Sequence, residues 1–545
     1  MASPSTPAST PIPASIPTPI PTSGPISATS ATSISVSGTV DAIVIGLGPG
    51  GEDVAARLAR GGWSVLAVDE HLVGGECPYY GCIPSKMMLH ESRRADASWA
   101  RVARRIREEA TDQWDDRVAV ERLLGTGAKF IHGRAEIVGG PAASPASAGT
   151  EVTVTPNDGG AHQTWTARRA VVLNTGSESM QVPVPGLPEA VTWTHRDVVT
   201  AETLPASLSI VGGGPLGCEL GQALAGFGVR VSLLVRGERL LSGETPEAGE
   251  LVAERFRAEG IDVRTGTEIS GVQAGEASRY EMSHGIPASA GPVDLELTTG
   301  DRLTVDRVLL ATGRAPRDSV EVDDWCRVLD GAAAEGGQPV PGRYAIGDMT
   351  GAGPFTHTSM AQAAVVADQL LAGAAPRPFP RQAVPRVTYT DPEVAAVGLS
   401  EGEARKAVEH QGGDASEVHV ARVDLGASSR GWIDEVRGHL TLVGRTDGKA
   451  GEETAEKANE QADEQGNRNR KSGTRGGVLV GAAVVGPHAG EILGALTVAV
   501  HAGVPLAELA RIPWAYPTLH RAIGDALAQF GSDVIGAESA AGPAS

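Results

Sequence analysis

Two stretches of this sequence repeat one pattern, and together they restrict the fold more than any other feature. "DAIVIGLGPGGEDVAARLARGGWSVLAVDE" runs from Asp41, and "SLSIVGGGPLGCELGQALAGFGVRVSLLVR" runs from Ser207. Each is an apolar β-branched run, then Gly-x-Gly-x-x-Gly, then a segment of helical period, then a second apolar strand. The glycines are Gly46, Gly48 and Gly51 in the first copy and Gly212, Gly214 and Gly217 in the second. Leu216, Leu220, Leu224 and Phe227 fall on one face of the second helix. Such a turn lets the backbone approach a pyrophosphate, which then sits on a helix N-terminus where free N–H groups and the helix dipole favour an anion. One glycine triplet says little in a chain with 70 glycines. Two, each between a strand and a helix, are specific. The chain therefore reads as α/β with two Rossmann-like dinucleotide-binding domains.

The residue closing each unit assigns its ligand. Asp69 is placed to accept hydrogen bonds from ribose hydroxyls, whereas Arg236, with Arg239 close behind, suits a 2′-phosphate. Gly217 pulls the other way, because glycine at the third position is more usual where NADH binds. The second unit is expected to take NADPH, with NADH possible.

At 545 residues the chain exceeds a single core and calls for roughly three or four domains. Acids outnumber bases 66 to 46, a net charge of −20, which argues against a nucleic acid or an anionic membrane as partner. No apolar run reaches the roughly 18 residues of a membrane helix, and the N-terminus has neither the basic nor the apolar region of a signal peptide. The cytoplasm is the expected location, and a persistent disulfide there is usually catalytic. Residues 1–40 are rich in Pro, Ser, Thr and Ala, carry no charged side chain before Asp41, and are expected to be a disordered tail, as are residues 536–545. Residues 447–476, acidic then basic, separate "HLTLVG" from "VLVGAAVVG" and read as a flexible insertion in a hairpin.

Behind the first unit lies "GGECPYYGCIPSK", residues 74–86, with two of the chain's four cysteines. By spacing alone a zinc half-site, a structural disulfide and a redox pair all fit. The loop follows the first dinucleotide unit directly, so its cysteines stand beside whatever that unit presents. At this point the chain resembles the class I pyridine nucleotide-disulfide oxidoreductases, the family of dihydrolipoamide dehydrogenase, glutathione reductase and mercuric reductase. The resemblance covers roughly residues 40–535 and rests on "GLGPGG", the cysteine loop, "VVLNTGS", "GGGPLGCELG", "LLATGRAPR", "YAIGD", "FTHTSMAQAA" and "PRVTYTDPEVAAVGLSE", in the family's order.

The resemblance implies an FAD-binding domain in two segments, 41–200 and 301–375, an NAD(P)H domain over 201–300, and a C-terminal α+β dimerisation domain over 376–535. It implies a homodimer in which NAD(P)H reduces FAD and the flavin opens a Cys77–Cys82 disulfide, with Cys82 the charge-transfer thiolate and Cys77 the interchange thiol. Lys86 and Glu219 match the ion pair beside the flavin N5, and Asp348 the carboxylate that holds the ribityl chain. Gly75, Ala135, Thr175, Gly176 and His357 match positions around FAD, and Gly313 lies in a motif beside the nicotinamide nucleotide. Zinc would need two further ligands; His90 is near, but Cys218 and Cys326 are solitary. A passive disulfide closing so short a loop would stabilise little.

One departure stands out. Relatives that reduce disulfides carry His-Pro-Thr and, three residues after the Thr, Glu, an acid–base couple that reaches into the partner's active site. Here the stretch is "AYPTLHRAIGDAL", with Tyr516 in place of the histidine and Arg521 in place of the glutamate. His520 is one helical step, about 100°, from the expected position. Mercuric reductases also carry a tyrosine near here, but their additional C-terminal cysteine pair is missing. The acceptor of electrons from Cys77 is therefore open: a disulfide, a quinone or another electrophile. Alternatives are a quinone-type reductase in which electrons leave directly from the flavin, and a non-enzymatic redox sensor.

Overall fold

The computed structural model describes residues 37–139, 149–180, 182–274, 292–332, 336–372, 377–446 and 476–535. The first repeat forms β1 (Ser37–Ile45), α1 (Pro49–Arg60) and β2 (Val65–Asp69). The two strands pair in parallel from Ala42–Val65 to Ile45–Val68, so the glycine turn lies at the carboxyl edge of the sheet. The cysteine loop follows as α2 (Glu76–Tyr79) and α3 (Cys82–Ser92). Strands β3 (Lys129–Ile137), β4 (Thr150–Pro156) and β5 (Gln163–Leu173) extend the sheet, and β6 (Ser177–Ser179) leads out of it. β1 begins inside the stretch expected to be tail: Ser37–Val40 pair with β5, and Val40 is fully buried. The rest of that tail, the C-terminal tail and 447–475 of the insertion lie outside the described residues.

Next come β7 (Thr192–Trp193) and α4 (His195–Thr200), then the second repeat, β8 (Ser207–Val211), α5 (Pro215–Gly226) and β9 (Arg230–Val235). β10 (Asp262–Thr265) follows, then an antiparallel sheet of β11 (Ile269–Ala274), β12 (Val293–Leu297) and β13 (Arg302–Val305). β14 (Arg307–Leu310) completes an all-parallel second sheet of order β10-β9-β8-β14-β7, which reaches beyond 201–300 at both ends. β15 (Arg314–Pro316) pairs antiparallel with β6, so the chain's exit from the first sheet and its return lie side by side. β16 (Arg327–Leu329) and β17 (Pro339–Ala345) rejoin the first sheet, β17 in parallel with β5. α6 (Thr356–Ala372) then packs on α1, with Val54, Leu58, Ala363 and Val366 fully buried. Helices on these sheets explain the near-continuous apolar runs of β1 and β8, because a covered parallel strand must be apolar on both sides.

The C-terminal domain is an antiparallel sheet of order β18-β19-β22-β21-β20, from β18 (Arg386–Thr388), β19 (Glu393–Gly398), β20 (Val418–Asp424), β21 (His439–Arg445) and β22 (Val478–Gly486). β21 and β22 pair across the insertion, Arg445 opposite Val478. Helix α7 (Ser429–Ile433) lies between β20 and β21, while α8 (Ala489–Ala502) and α9 (Arg521–Leu527) follow β22. Two Rossmann-like units and an α+β domain are the architecture expected from the sequence. Among the described residues no helix is long and apolar enough to cross a membrane.

Candidate active site

Both glycine turns are cradles that side chains would fill. A Cβ on Gly46, whose φ is +89°, would stand 2.2 Å from the Asn174 carbonyl oxygen, and one on Gly51 2.0 Å from that of Gly46. Gly48 caps α1, and Asp69 accepts the Leu47 and His71 N–H groups at 2.5 and 2.7 Å while burial pushes its carboxyl upward. The second turn repeats this: Cβ atoms on Gly212 and Gly217 would lie 2.3 and 2.2 Å from backbone oxygens, whereas nothing lies within 4 Å of one on Gly214. Thr358 Oγ1, buried in the first turn of α6, has no hydrogen-bond partner among the described residues. A pyrophosphate at each helix N-terminus, with a ribose at Asp69, fits this donor set.

The cysteine loop lies directly on the first cradle. A Cβ on Gly75, at φ +66°, would come 2.8 Å from Gly48 Cα, so the two backbones touch. Cys82 opens α3, and its Sγ lies 3.8 Å from Thr356 Oγ1 at the start of α6. Both loop cysteines are thiols in the structure, and their ionisation is divided between them. A hydrogen bond from Cys77, aided by Thr356 and the Lys86 charge, outweighs desolvation and lowers Cys82 to about 6. The same bond and burial push Cys77 far up, so Cys77 keeps its proton. A thiolate at a helix N-terminus beside an ammonium is the usual electrostatic recipe for a reactive cysteine.

α3 packs on α5, which brings Lys86 Nζ to 2.7 Å from Glu219 Oε2. The buried Glu219 carboxylate also accepts the Tyr389 N–H at 2.9 Å, and the Lys86 ammonium lies 4.6 Å from the centre of the Tyr389 ring. Tyr389, Thr356 and Glu76 are site residues that sequence reasoning missed. A tyrosine in "RVTYTDPEV" and an acid beside a cysteine were the visible signals.

The other expected residues divide. Asp348 accepts the Ser177 hydroxyl at the exit from β5, next to Thr175 and to Gly176 at φ +73°. Gly313, at φ +111°, accepts the Met180 N–H where the chain returns. His357 stacks on Phe355 and is bonded through Nε2 to the Pro385 oxygen. Ala135 is in β3 opposite Val154, three residues past the one that pairs with Asp69. Arg236 is well exposed just past β9, with Glu268 at 4.0 Å. The Arg239 guanidinium donates to the Glu244 and Ser242 oxygens at 2.8 Å, holding its own loop.

Tyr516 is 71% exposed and donates to Ser429 Oγ at 3.1 Å, and Arg521 pairs with Asp525 four residues on. His520 lines a cavity of about 660 Å3 with His488, Glu491 and Arg255, away from the cysteine loop. Cys218 and Cys326 are buried, and desolvation pushes the Cys326 thiol up to about 12. No group of three or more metal-ligating side chains is found among the described residues.

Residues 40–365 match the pyridine nucleotide-disulphide oxidoreductase family, and residues 473–527 match that family's dimerisation domain. A dihydrolipoyl dehydrogenase from Thermus scotoductus is 33% identical over 386 residues, 68% of this chain and 78% of that protein. A glutathione reductase from Burkholderia cepacia is 29% identical over 402 residues, 67% of this chain and 78% of that protein. Among solved structures, LpdA from Mycobacterium tuberculosis superposes with a TM-score of 0.68 at 23% identity, covering 90% of this chain and 99% of its own. The HOCl-induced flavoprotein disulfide reductase RclA from Escherichia coli gives 0.67 at 21% identity, covering 90% and 100%. The chain belongs to the pyridine nucleotide-disulfide oxidoreductase family. It is an FAD- and pyridine nucleotide-dependent enzyme that transfers electrons through a disulfide, and its dimerisation domain supports a homodimer.

Proposed function

We propose that this chain is a cytoplasmic, NADPH-preferring reductase in which Cys82 is the thiolate beside the flavin and Cys77 the thiol that meets the acceptor. The observation that carries the reading is the placement of the loop: Cys82 opens α3 with its Sγ 3.8 Å from Thr356 Oγ1 and Lys86 one turn on, and the loop is pressed against Gly48 at the first dinucleotide turn. FAD, when bound, supplies the two-electron relay between the nicotinamide and the cysteines. Lys86, fixed by Glu219, holds positive charge near Cys82 and favours its thiolate. Cys77, once deprotonated, attacks the acceptor. With a disulfide acceptor it displaces one thiolate, and Cys82 then attacks the mixed disulfide to release the second and restore the Cys77–Cys82 bond. The test is NADPH consumption by purified protein with a small disulfide and with a quinone, each in the parent and in Cys77→Ser.

The arrangement around Tyr516 favours a second reading, in which a quinone takes electrons directly from the flavin. A tyrosine bonded to Ser429 and an arginine paired with Asp525 do not form an acid–base couple. Quinone turnover that survives Cys77→Ser would establish that route.

Two further outcomes follow. A single charge-assisted bond from Arg236 to the 2′-phosphate is worth about 1.5–3 kcal/mol, so kcat/KM should favour NADPH by about tenfold or more, and Arg236→Glu should reverse the preference. Equal kcat/KM for both nucleotides in the parent would make Gly217 the better guide. Because the Cys82 pKa is lowered, its thiolate persists above about pH 6 and is protonated below. The long-wavelength absorbance of the two-electron-reduced protein should therefore fade with a midpoint near that pH, and a midpoint near 9 would remove Lys86 and Cys77 from the account.

A further inference from the structure

The residue before Cys77 is an acid that the redox chemistry does not use, yet it is tied to a different part of the fold. Glu76 accepts from His195 Nε2 at 2.9 Å and from the Arg196 guanidinium, with Nε at 3.0 Å. Arg314, on the return strand β15, adds charge at 4.0 Å. Burial alone would raise the Glu76 carboxyl, but the bonds from His195 and Arg196 and the two guanidinium charges bring it down to about 2. His195 is nearly buried, and its other ring nitrogen lies 3.4 Å from Ser179 Oγ on the exit strand β6. The grip is double: the same Arg196 guanidinium stands 4.7 Å from the centre of the Tyr80 ring. Cys77 thus sits between two residues held by α4, the helix through which the chain enters the second dinucleotide unit.

Two functions are open to the Glu76–His195 pair, proton transfer or positioning. Both ring nitrogens of His195 are bonded to partners, and Glu76, its carboxyl lowered to about 2 by those bonds, is too weak a base to take the Cys77 proton. We propose that Glu76 and Arg196 are positioning residues that clamp the Cys77 turn to α4 and so hold the interchange thiol in bonding register with Cys82. The inference rests on the redox role of the two cysteines. Closing the disulfide requires the two sulfurs to meet, and a turn fixed from outside makes one thiol more available to the other than a loose loop would.

The test is the thiol–disulfide equilibrium of the FAD-loaded dimer in a dithiothreitol redox buffer without NAD(P)H, trapped by alkylation and read by mass at the peptide carrying both cysteines. In this exchange the two protein thiols give two electrons and two protons to oxidised dithiothreitol, which becomes the dithiol. Glu76→Gln and Arg196→Gln should each shift the equilibrium toward the protein dithiol by about three- to tenfold. The double variant should shift it by less than the product of the two single shifts, because both changes remove the Glu76–Arg196 contact while each also loosens one of its own, to His195 or to Tyr80. Equilibrium constants within twofold of the parent in the variants that retain FAD would overturn the clamp. If Glu76→Gln fails to fold, Arg196→Gln alone decides. A parent that shows no interconversion at all would overturn both the clamp and the redox reading beneath it.

Discussion

Reduction of lipoamide or glutathione disulfide by this chain should run about 10²–10⁴-fold below that of relatives with the histidine–glutamate couple, while quinone reduction stays efficient. When Cys77 attacks a small disulfide, Cys77 must lose a proton and the departing thiolate must gain one. A histidine with a pKa near 6.5 serves both steps at neutral pH, and a tyrosine near 10 serves them poorly. Cys77 enters this step at a disadvantage, because its bond to Cys82 and its burial hold its proton. The chain offers no substitute at the matching positions: Tyr516 rests on Ser429, Arg521 is engaged with Asp525, and His520 faces the cavity lined by His488. A Tyr516→His, Arg521→Glu double variant should gain disulfide turnover, at the cost of the Arg521–Asp525 pair, an exposed contact worth a few tenths of a kcal/mol. Rapid turnover of a small disulfide by the parent, with no group titrating near neutrality, would show that another residue supplies the proton.

Substituting the two cysteines separately should give opposite spectroscopic results. In Cys82→Ser the long-wavelength band should be absent from the oxidised protein as well as from the two-electron-reduced protein, since Cys82 is the thiol lowered to about 6 and set beside Thr356 and Lys86. In Cys77→Ser the band should instead appear in the oxidised protein, where the Cys82 thiolate stays and the Lys86–Glu219 pair still supports it, and it should bleach on two-electron reduction, because with no disulfide to open the electrons stay on the flavin. Disulfide turnover should nevertheless collapse in Cys77→Ser by on the order of 10⁴-fold or more, the usual consequence of losing a nucleophile. Anaerobic titration with NADPH, followed by absorbance and then by turnover of each acceptor, reads both. A band that survives in Cys82→Ser would reverse the assignment of the thiols.

The parts of the site that were legible in the sequence share a property: each rests on local backbone chemistry. Gly46 and Gly212 carry positive φ, and Cβ atoms there would collide with backbone, so only glycine fits, and its spacing shows. The start of β1 shows the limit of composition, for Ser37–Val40 belong to a Ser/Thr-rich stretch yet pair with β5 once that strand is beside them. Arg239 shows the same limit for charge. Its position in the sequence suggests a phosphate, and only the folded loop shows that its guanidinium also donates to the Glu244 and Ser242 carbonyl oxygens.

The sequence alone determined the two dinucleotide turns, the cysteine loop behind the first, the order of the family's motifs and the loss of the histidine–glutamate couple. All of these are fixed by residue type and short spacing, because turn geometry and helical period act over a few residues. Tertiary structure alone decided which side chains attend the thiols. Thr356 meets Cys82 from 274 positions away, Tyr389 meets Glu219 from 170, and His195 meets Glu76 from 119. Those contacts arise when α6, the C-terminal domain and α4 pack against the cysteine loop, and side-chain contacts made by such packing leave no period or spacing in the sequences that make them.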